Sequence, residues 1–109
     1  MNIQELLHKL DLSTYIAFDF ETTGLSSEND RITEIAAIKF EGGEAVDKFV
    51  TLVNPERPID PFITDITGIS NAMVSDAPIE RNIIDDIINF LEDFPLVAHN
   101  ISFDISFLN

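Results

Sequence analysis

The amino-acid sequence predicts an α/β fold with a mixed sheet and flanking helices. Three β-type runs, near residues 15–21, 32–40 and 45–53, are joined by short connections, which is typical of an antiparallel meander. An amphipathic segment at 78–94 follows them and leads into a short apolar run at 96–99. Because a helical crossover joins parallel strands, we expect the fourth strand to lie parallel to one of the first three.

Composition favours one folded, cysteine-free domain. The chain has 109 residues, 45% of them hydrophobic and nine of them Phe, which favours a packed core over disorder. The lack of Cys excludes disulfides, thiolate metal sites and thiol catalysis. The sequence has no signal-peptide pattern and no run near the roughly 20 apolar residues of a membrane span. We therefore expect a cytoplasmic protein with no membrane partner.

The net charge of −14 disfavours long-range attraction of nucleic acid. Six Lys and Arg stand against twenty Asp and Glu, so the sequence offers no basic patch to a phosphate backbone. An enzyme acting on nucleic acid would therefore need metal ions that neutralise its site locally. Weak or partner-assisted substrate binding is the expected consequence.

Residues 1–12 predict an N-terminal amphipathic helix. Asn2 and Glu5 have the spacing of a capping box, and an apolar stripe follows at helical spacing. The stripe consists of Ile3, Leu6, Leu7 and Leu10. Packing against the main domain, residues 13–109, is the favoured use of this helix, and docking to a partner is the alternative.

Two acids end the first predicted strand, in the stretch Asp-Phe-Glu-Thr-Thr-Gly at residues 19–24. Strand side chains alternate between faces, so Asp19 and Glu21 point the same way, roughly 6–7 Å apart. The opposite face carries Ile16, Phe18 and Phe20. Two carboxylates at the end of a buried strand are costly without a cation between them, and hard divalent ions prefer carboxylate oxygens. The alternative is a solvated pair at an exposed strand end.

The middle of the chain carries turn and helix signals. Residues 35–38 are apolar throughout, as expected for a strand covered on both faces, and Glu-Gly-Gly-Glu at 41–44 predicts a hairpin turn. A short helix is expected at 63–66, and Ser70 can cap a further turn. The helix at 78–94 buries the stripe Ile79, Ile83, Ile84, Ile87, Ile88 and Leu91. Its acids should face solvent.

A second constellation, His-Asn-Ile-Ser-Phe-Asp at residues 99–104, follows the last predicted strand and opens another helix. An acid in the first turn of a helix is stabilised by the helix dipole, and this one would lie beside the ends of parallel strands. Asp104 is therefore expected to face Asp19 and Glu21 across one crevice. Taken alone, Asp104 would be no more than a favourable residue at a helix start.

The two constellations resemble the first two motifs of the DEDD superfamily of 3′–5′ exonucleases, and more closely its DnaQ-like proofreading group. Residues 19–25 are similar to the first motif, and residues 97–104 are similar to the second. The strings between them that also follow the family order are 34–38, 49–55, 67–69 and 77–78. The resemblance covers residues 13–109 and implies a ribonuclease-H-like mixed sheet with flanking helices.

This resemblance implies a hydrolase that removes nucleoside monophosphates from a nucleic-acid 3′ end, with DNA preferred to RNA. It implies two divalent ions, Mg²⁺ or Mn²⁺, which bind the scissile phosphate and activate water. The residues carried over as catalytic metal ligands are Asp19, Glu21 and Asp104. Those carried over as the lining of the terminal-nucleotide pocket are Thr22, Thr23, Gly24, Leu25, Thr67, Asn100 and Phe103.

The sequence departs from the family pattern at its C-terminal side. The family has a third motif with a fourth acid and a preceding His or Tyr, and residues 105–109 do not contain it. His99 belongs to the second motif and is not expected to replace that base. We therefore expect the first portion of an exonuclease domain, ending after the fourth strand, with little activity by itself. Expected partners are a polymerase, a helicase or the missing C-terminal segment, and uncovered sheet and helix surfaces favour self-association.

Two other functions remain open on the sequence. A non-catalytic remnant would serve as an interaction module, which the missing third motif favours and the intact acids disfavour. An actin-like ATPase also places Thr-Thr near Gly in an Asp-rich hairpin, but it has no place for Asn100, Phe103 and Asp104 together. The sequence leaves open the choice between DNA and RNA, the oligomeric state and the parent protein.

Overall fold

The computed structural model describes residues 2, 13–92 and 94–108, and within them four strands form one sheet. The elements are β1 (Thr14–Thr22), β2 (Ile32–Glu41), β3 (Glu44–Leu52), α1 (Pro61–Thr67), α2 (Asn71–Val74), α3 (Glu80–Leu91), β4 (Leu96–Val97) and α4 (Ile101–Ser106). The strand order is β3-β2-β1-β4, with β4 parallel to β1 and the other neighbours antiparallel. The predicted mixed sheet is therefore confirmed. The helix predicted at residues 1–12 falls, apart from residue 2, outside the described residues.

The hairpin between β2 and β3 is the turn that the sequence predicts. Gly42 and Gly43 both have positive φ, at 59° and 86°, which is the backbone of a two-residue type I′ turn. Glycine adopts these angles without a steric penalty, so Gly-Gly at this point sets the register of the hairpin. Glu41 and Glu44 pair directly across it.

The core lies between the inner face of the sheet and α3. Ile16, Phe18 and Phe20 are buried along β1, as the alternation predicts, and Ile35 and Ala37 are buried beside them on β2. The residues of α3 that complete this cluster are Ile83, Ile87 and Leu91. These three residues are therefore covered, against the expectation of an uncovered helix surface, whereas Ile88 of the predicted buried stripe is 42% exposed.

Within the part of the chain that the structure describes, the outer face of the sheet is partly exposed. Residues 35–38 were expected to be covered on both faces, but Ala36 and Ile38 are half-buried, and Val50 beside Ala36 is 56% exposed. An apolar run cannot distinguish a covered face from an open one, because Ala and Ile suit both. A groove of about 390 Å³ lies near Val46, and its lining does not include Asp19 or Glu21. Self-association stays a prediction.

The helices begin and end where caps and prolines place them. Pro61 begins α1 after the N-cap Asp60, so the helix is longer than the predicted 63–66. The carbonyl of Pro78 instead accepts from Asn54 N–H at 2.8 Å, which holds residues 78–79 extended and delays α3 to Glu80. None of the described helices combines the length and the hydrophobicity that a membrane span requires.

Candidate active site

The parallel pairing of β1 and β4 brings the two sequence motifs together. Carboxyl ends of parallel strands meet at one edge of a sheet, and the chain turns from β4 directly into α4 there. Asn100 caps α4, with its Oδ1 accepting from the Phe103 N–H at 3.2 Å. This cap sets the direction of the helix, and Asp104 in its first turn faces the end of β1.

A pocket of about 300 Å³, which we call the acid pocket, lies at this edge. Its lining consists of Asp19, Phe20, Glu21, Leu25, His99, Asn100, Phe103 and Asp104. All three acids predicted as metal ligands are in this lining. Asp104 is 3% exposed, whereas Asp19 is exposed and Glu21 is half-buried. The acid pocket therefore combines one buried carboxyl group with two that reach solvent.

The buried Asp104 has a strongly perturbed pKa. Burial, followed by the carboxylates of Asp19 and Glu21, raises the pKa of Asp104 from 3.8 to about 6. A backbone hydrogen bond from Phe20 and the charge of His99 act in the opposite direction. The three acids thus repel one another across the pocket, and a cation or a proton would relieve that repulsion.

Glu34, an acid outside the lining of the acid pocket, also affects this site. Glu34 lies directly opposite Glu21 in the antiparallel ladder of β1 and β2, so both side chains are on the outer face. Burial, then Asp19, then Glu34 raise the pKa of Glu21. Sequence reasoning missed Glu34, because its proximity depends on the register between β1 and β2, and no local pattern reports that register.

The donor set fits a hard divalent cation, whose preferred ligands are carboxylate oxygens. The side chains, however, are not arranged as a complete set of metal ligands. Within residues 2, 13–92 and 94–108, no three acidic or histidine side chains are gathered closely enough to hold one ion. The residues that would provide the ligands are Asp19, Glu21 and Asp104, which share the acid pocket, where the charge of Asp19 helps to raise the pKa of both Glu21 and Asp104.

A second pocket, of about 290 Å³ and largely apolar, adjoins the first and is called the apolar pocket. Its lining consists of Phe20, Glu21, Thr22, Gly24, Leu25, Phe62, Ile63, Ile66, Thr67 and Phe103. Sequence reasoning missed Phe62, Ile63 and Ile66. The sequence offers only the spacing of Phe62 and Ile66, which places them one turn apart on a short helix. In the structure both are about two-thirds exposed, at 68% and 66%.

The loop between β1 and β2 is organised around the carboxylate of Asp30. Its Oδ1 accepts from the Thr23 hydroxyl at 3.0 Å, and its Oδ2 accepts from the Ser26 N–H at 3.0 Å. The Thr23 hydroxyl in turn accepts from the Arg31 N–H at 3.0 Å. Among the described residues predicted to bind substrate, Thr23 is outside both pocket linings, and it contacts this carboxylate instead.

Replacing Gly24 by alanine should destabilise this loop. A Cβ at Gly24 would lie 2.4 Å from Asp30 Oδ2 and 2.7 Å from its Cγ, and two hydrogen bonds hold that carboxylate in place. We expect the free energy of unfolding to fall by about 1–3 kcal/mol, the usual cost of overpacking. Urea titration of both proteins measures the difference.

The matched control is Gly24→Ala in an Asp30→Ala background. With the carboxylate removed, the added methyl group meets no crowded atom of Asp30, so its further cost should fall below about 0.5 kcal/mol. An equal cost in both backgrounds would contradict the assignment of the clash to Asp30.

Comparison with known proteins identifies the family of this chain. Residues 16–109 match the RNase_T family model, described as Exonuclease. The DNA polymerase III PolC-type of Bacillus subtilis is 49% identical over 100 residues, which is 92% of this chain and 7% of that protein. The PolC-type polymerase of Thermotoga maritima is 42% identical over 96 residues, or 88% of this chain and 7% of that protein. The chain thus spans a small part of these relatives.

Solved structures of similar fold are also exonucleases. Exonuclease X in complex with 5′ overhanging duplex DNA superposes with a TM-score of 0.69 at 38% identity, covering 87% of this chain and 54% of that one. Exonuclease I of E. coli in complex with a dA16 oligonucleotide gives 0.77 at 22% identity, covering 88% and 23%. The fold is ribonuclease-H-like, and the family match over residues 16–109 shows that this chain belongs to the RNase_T exonuclease family.

Proposed function

We propose that this chain forms a metal-dependent exonuclease domain that removes nucleoside monophosphates from DNA 3′ ends. The observation that carries the proposal is the burial of Asp104 beside Asp19 and Glu21, at the carboxyl ends of β1 and β4. A buried acid next to two others is unfavourable unless the site takes up a cation or a proton. In two-metal nucleases, such cations stabilise the attacking and leaving oxygens of phosphodiester hydrolysis.

Asp19, Glu21 and Asp104 would hold the divalent ions, two of Mg²⁺ or Mn²⁺. When bound, the metal would supply polarisation of the phosphate and a more acidic water. The carboxylates bind and orient the ions, and their side chains have to converge to do so, since the described acids form no ligand group of three. We therefore expect hydrolysis by these 109 residues alone to be slow.

The terminal nucleotide would lie across the two pockets. Its base would pack in the apolar pocket against Phe62, Ile66 and Leu25, which offer a surface that suits any base. Phe103 borders both pockets and can contact the sugar and the base. The Oδ1 of Asn100 accepts from the Phe103 N–H, so its amide nitrogen is the group that it can offer to the phosphate.

The other residues of the proposed nucleotide site fix the conformation of the protein backbone around it. The Thr22 hydroxyl donates to the Gly24 carbonyl at 2.5 Å, and Thr23 holds the Asp30 carboxylate. Thr67 lies at the end of α1 in the lining of the apolar pocket. These residues would set the pocket's shape for a 3′-terminal nucleotide.

DNA is the proposed substrate, and a polymerase is the proposed partner. The relatives at 42–49% identity are DNA polymerases by name, and the exonuclease X structure contains duplex DNA. The net charge of −14 opposes the approach of a polyanion, so a tethered polymerase would raise the local concentration of the 3′ end. Divalent cations would act in the same direction by neutralising the acid pocket.

The second candidate is a non-catalytic interaction module. The observation that favours it is the failure of the described acids to form a ligand group of three. A module of this kind would keep the fold and the loop structure but would show no Mg²⁺-dependent hydrolysis. The two candidates therefore differ in a product that can be measured directly.

The test is degradation of a single strand labelled at its 3′ or 5′ end, with protein in excess and Mg²⁺ present. The expected result is slow release of a labelled mononucleotide from the 3′-labelled strand, and stepwise shortening of the 5′-labelled strand. Chelation of the metal should stop both reactions. Glu21→Gln, which keeps the side-chain size but removes a ligand charge, is the control for contaminating nuclease.

Three outcomes would contradict the proposal. Internal cuts or release from the 5′ end would assign another polarity or another nuclease class. Product that forms equally with Glu21→Gln would come from elsewhere. Complete lack of product at protein excess would favour the interaction module.

A further inference from the structure

The carboxylate of Asp30 closes the loop that follows the two acids of β1. One oxygen accepts from the Thr23 hydroxyl and the other from the Ser26 N–H, each at 3.0 Å. The Asp30 N–H also donates to the Ser26 carbonyl at 2.7 Å. Residues 23 and 26 are thereby held by one side chain.

Leu25 lies inside this closed loop and is 87% exposed. It lines both the acid pocket and the apolar pocket, so its side chain marks the boundary between them. A side chain with so little packing of its own is placed by its backbone. The hydrogen bonds that residues 23 and 26 make to Asp30 therefore set the position of the Leu25 side chain.

We propose that Asp30 is a positioning residue that sets the affinity for a nucleoside monophosphate by holding Leu25 between the two pockets. The inference rests on the proposed function, because it assigns the ligand to those pockets. Asp30 itself does not contact the ligand. It acts through residues 23–26, and Gly24 is the residue that lets the carboxylate approach the loop so closely.

Two other roles for Asp30 fit the contacts less well. A further metal ligand would need its oxygens turned toward the acid pocket, whereas both accept hydrogen bonds from the loop. A purely structural role would change the stability of the chain and leave nucleotide affinity unchanged. The two roles are separable by measuring binding and unfolding on the same variants.

The experiment is a double-mutant cycle on Asp30→Asn and Leu25→Ala, read by NMR titration with thymidine 5′-monophosphate in Mg²⁺. The asparagine keeps the size of the side chain but can accept from only one of the two loop donors with its single oxygen. We expect Asp30→Asn to weaken binding about tenfold, the loss of one charge-assisted hydrogen bond. In the Leu25→Ala background the same change should weaken binding by less than about twofold.

Asp47→Asn is the matched control, since Asp47 Oδ1 accepts from the Lys48 N–H at 2.8 Å on the exposed strand β3, away from both pockets. It should bind the nucleotide as the unaltered chain does. Asp30→Glu is the second variant, because it keeps the charge and shifts the carboxylate by one methylene. It should also weaken binding, and melting curves of each variant record whether it is folded.

The outcomes separate this inference from the proposed function. Nucleotide binding that is unchanged in Asp30→Asn and Asp30→Glu would overturn the role of Asp30 and leave the proposed function standing. A full tenfold effect in the Leu25→Ala background would show that Asp30 does not act through Leu25, and would also overturn it. Lack of binding by the unaltered chain at millimolar nucleotide would overturn this inference, whereas the proposed function is decided by mononucleotide release from the end-labelled strand.

Discussion

Replacing Asp19 by alanine should abolish the metal-dependent stabilisation of this chain and its hydrolysis of DNA ends. Asp19 is exposed at the end of β1, on the face opposite the core, so its removal leaves the packing intact. A cation that binds the folded state stabilises it by RT ln(1 + [L]/Kd), about 2.7 kcal/mol at a metal concentration near 100 Kd. The variant should show almost none of this gain, and its hydrolysis should fall by at least about 10²–10³-fold.

Thermal melts with and without Mn²⁺ measure the first effect, and the end-labelled strand measures the second. Asp47→Ala is the control, because it removes one negative charge from an exposed strand without touching the acid pocket. It corrects for general relief of repulsion in a chain of net charge −14. An Mn²⁺ response of equal size in Asp19→Ala would remove Asp19 from the proposed ligands.

Replacing Asp104 by asparagine should stabilise the metal-free chain at pH 8 and remove its response to Mn²⁺. The pKa of Asp104 is raised from 3.8 to about 6 in the folded state, so folding favours its protonated form. Its contribution to stability is therefore present below about pH 4 and is lost as the pH rises through 6. Asparagine cannot ionise, so at pH 8 the variant should be more stable by on the order of 2 kcal/mol.

Urea titrations at pH 4 and pH 8 check this prediction. The two proteins should differ little at pH 4, where Asp104 is protonated, and should separate as the pH rises. Addition of Mn²⁺ at pH 8 should then stabilise the unaltered chain and make it more stable than the Asp104→Asn variant. Asp47→Asn controls for the loss of one charge. A variant that is less stable than the unaltered chain at pH 8 without metal would contradict the burial argument.

The elements of this fold were predictable where local pattern decides conformation. Alternation along β1 placed Phe18 and Phe20 on the buried face and the two acids on the other, and Gly42-Gly43 placed the hairpin. Helical spacing predicted a six-residue stripe on α3, of which Ile83, Ile87 and Leu91 are buried. Ile88, from the same stripe, is exposed. The helix boundaries were less accurate, because Pro78 takes part in a bridge to Asn54 that local sequence does not report.

The candidate site was predictable in part. The sequence motifs named Asp19, Glu21 and Asp104, and the structure lines one pocket with all three. The resemblance supplied their proposed role, since the residues alone permit a solvated acid pair. Phe62 and Ile66 were not identified, because a short exposed helix carries little signal about what lies beside it.

By itself, the sequence determined the alternating face of β1, the glycine turn, the amphipathic helix and the order of the two acidic motifs. These features depend on residues a few positions apart, and the sequence gives that spacing directly. The tertiary structure decided that Asp104 is buried, that Glu34 faces Glu21, and that Asp30 holds the loop around Leu25. Each of these depends on strand register or on the close approach of separate segments. Such contacts arise only when the sheet pairs and the helices pack, because burial and repulsion depend on distances in space.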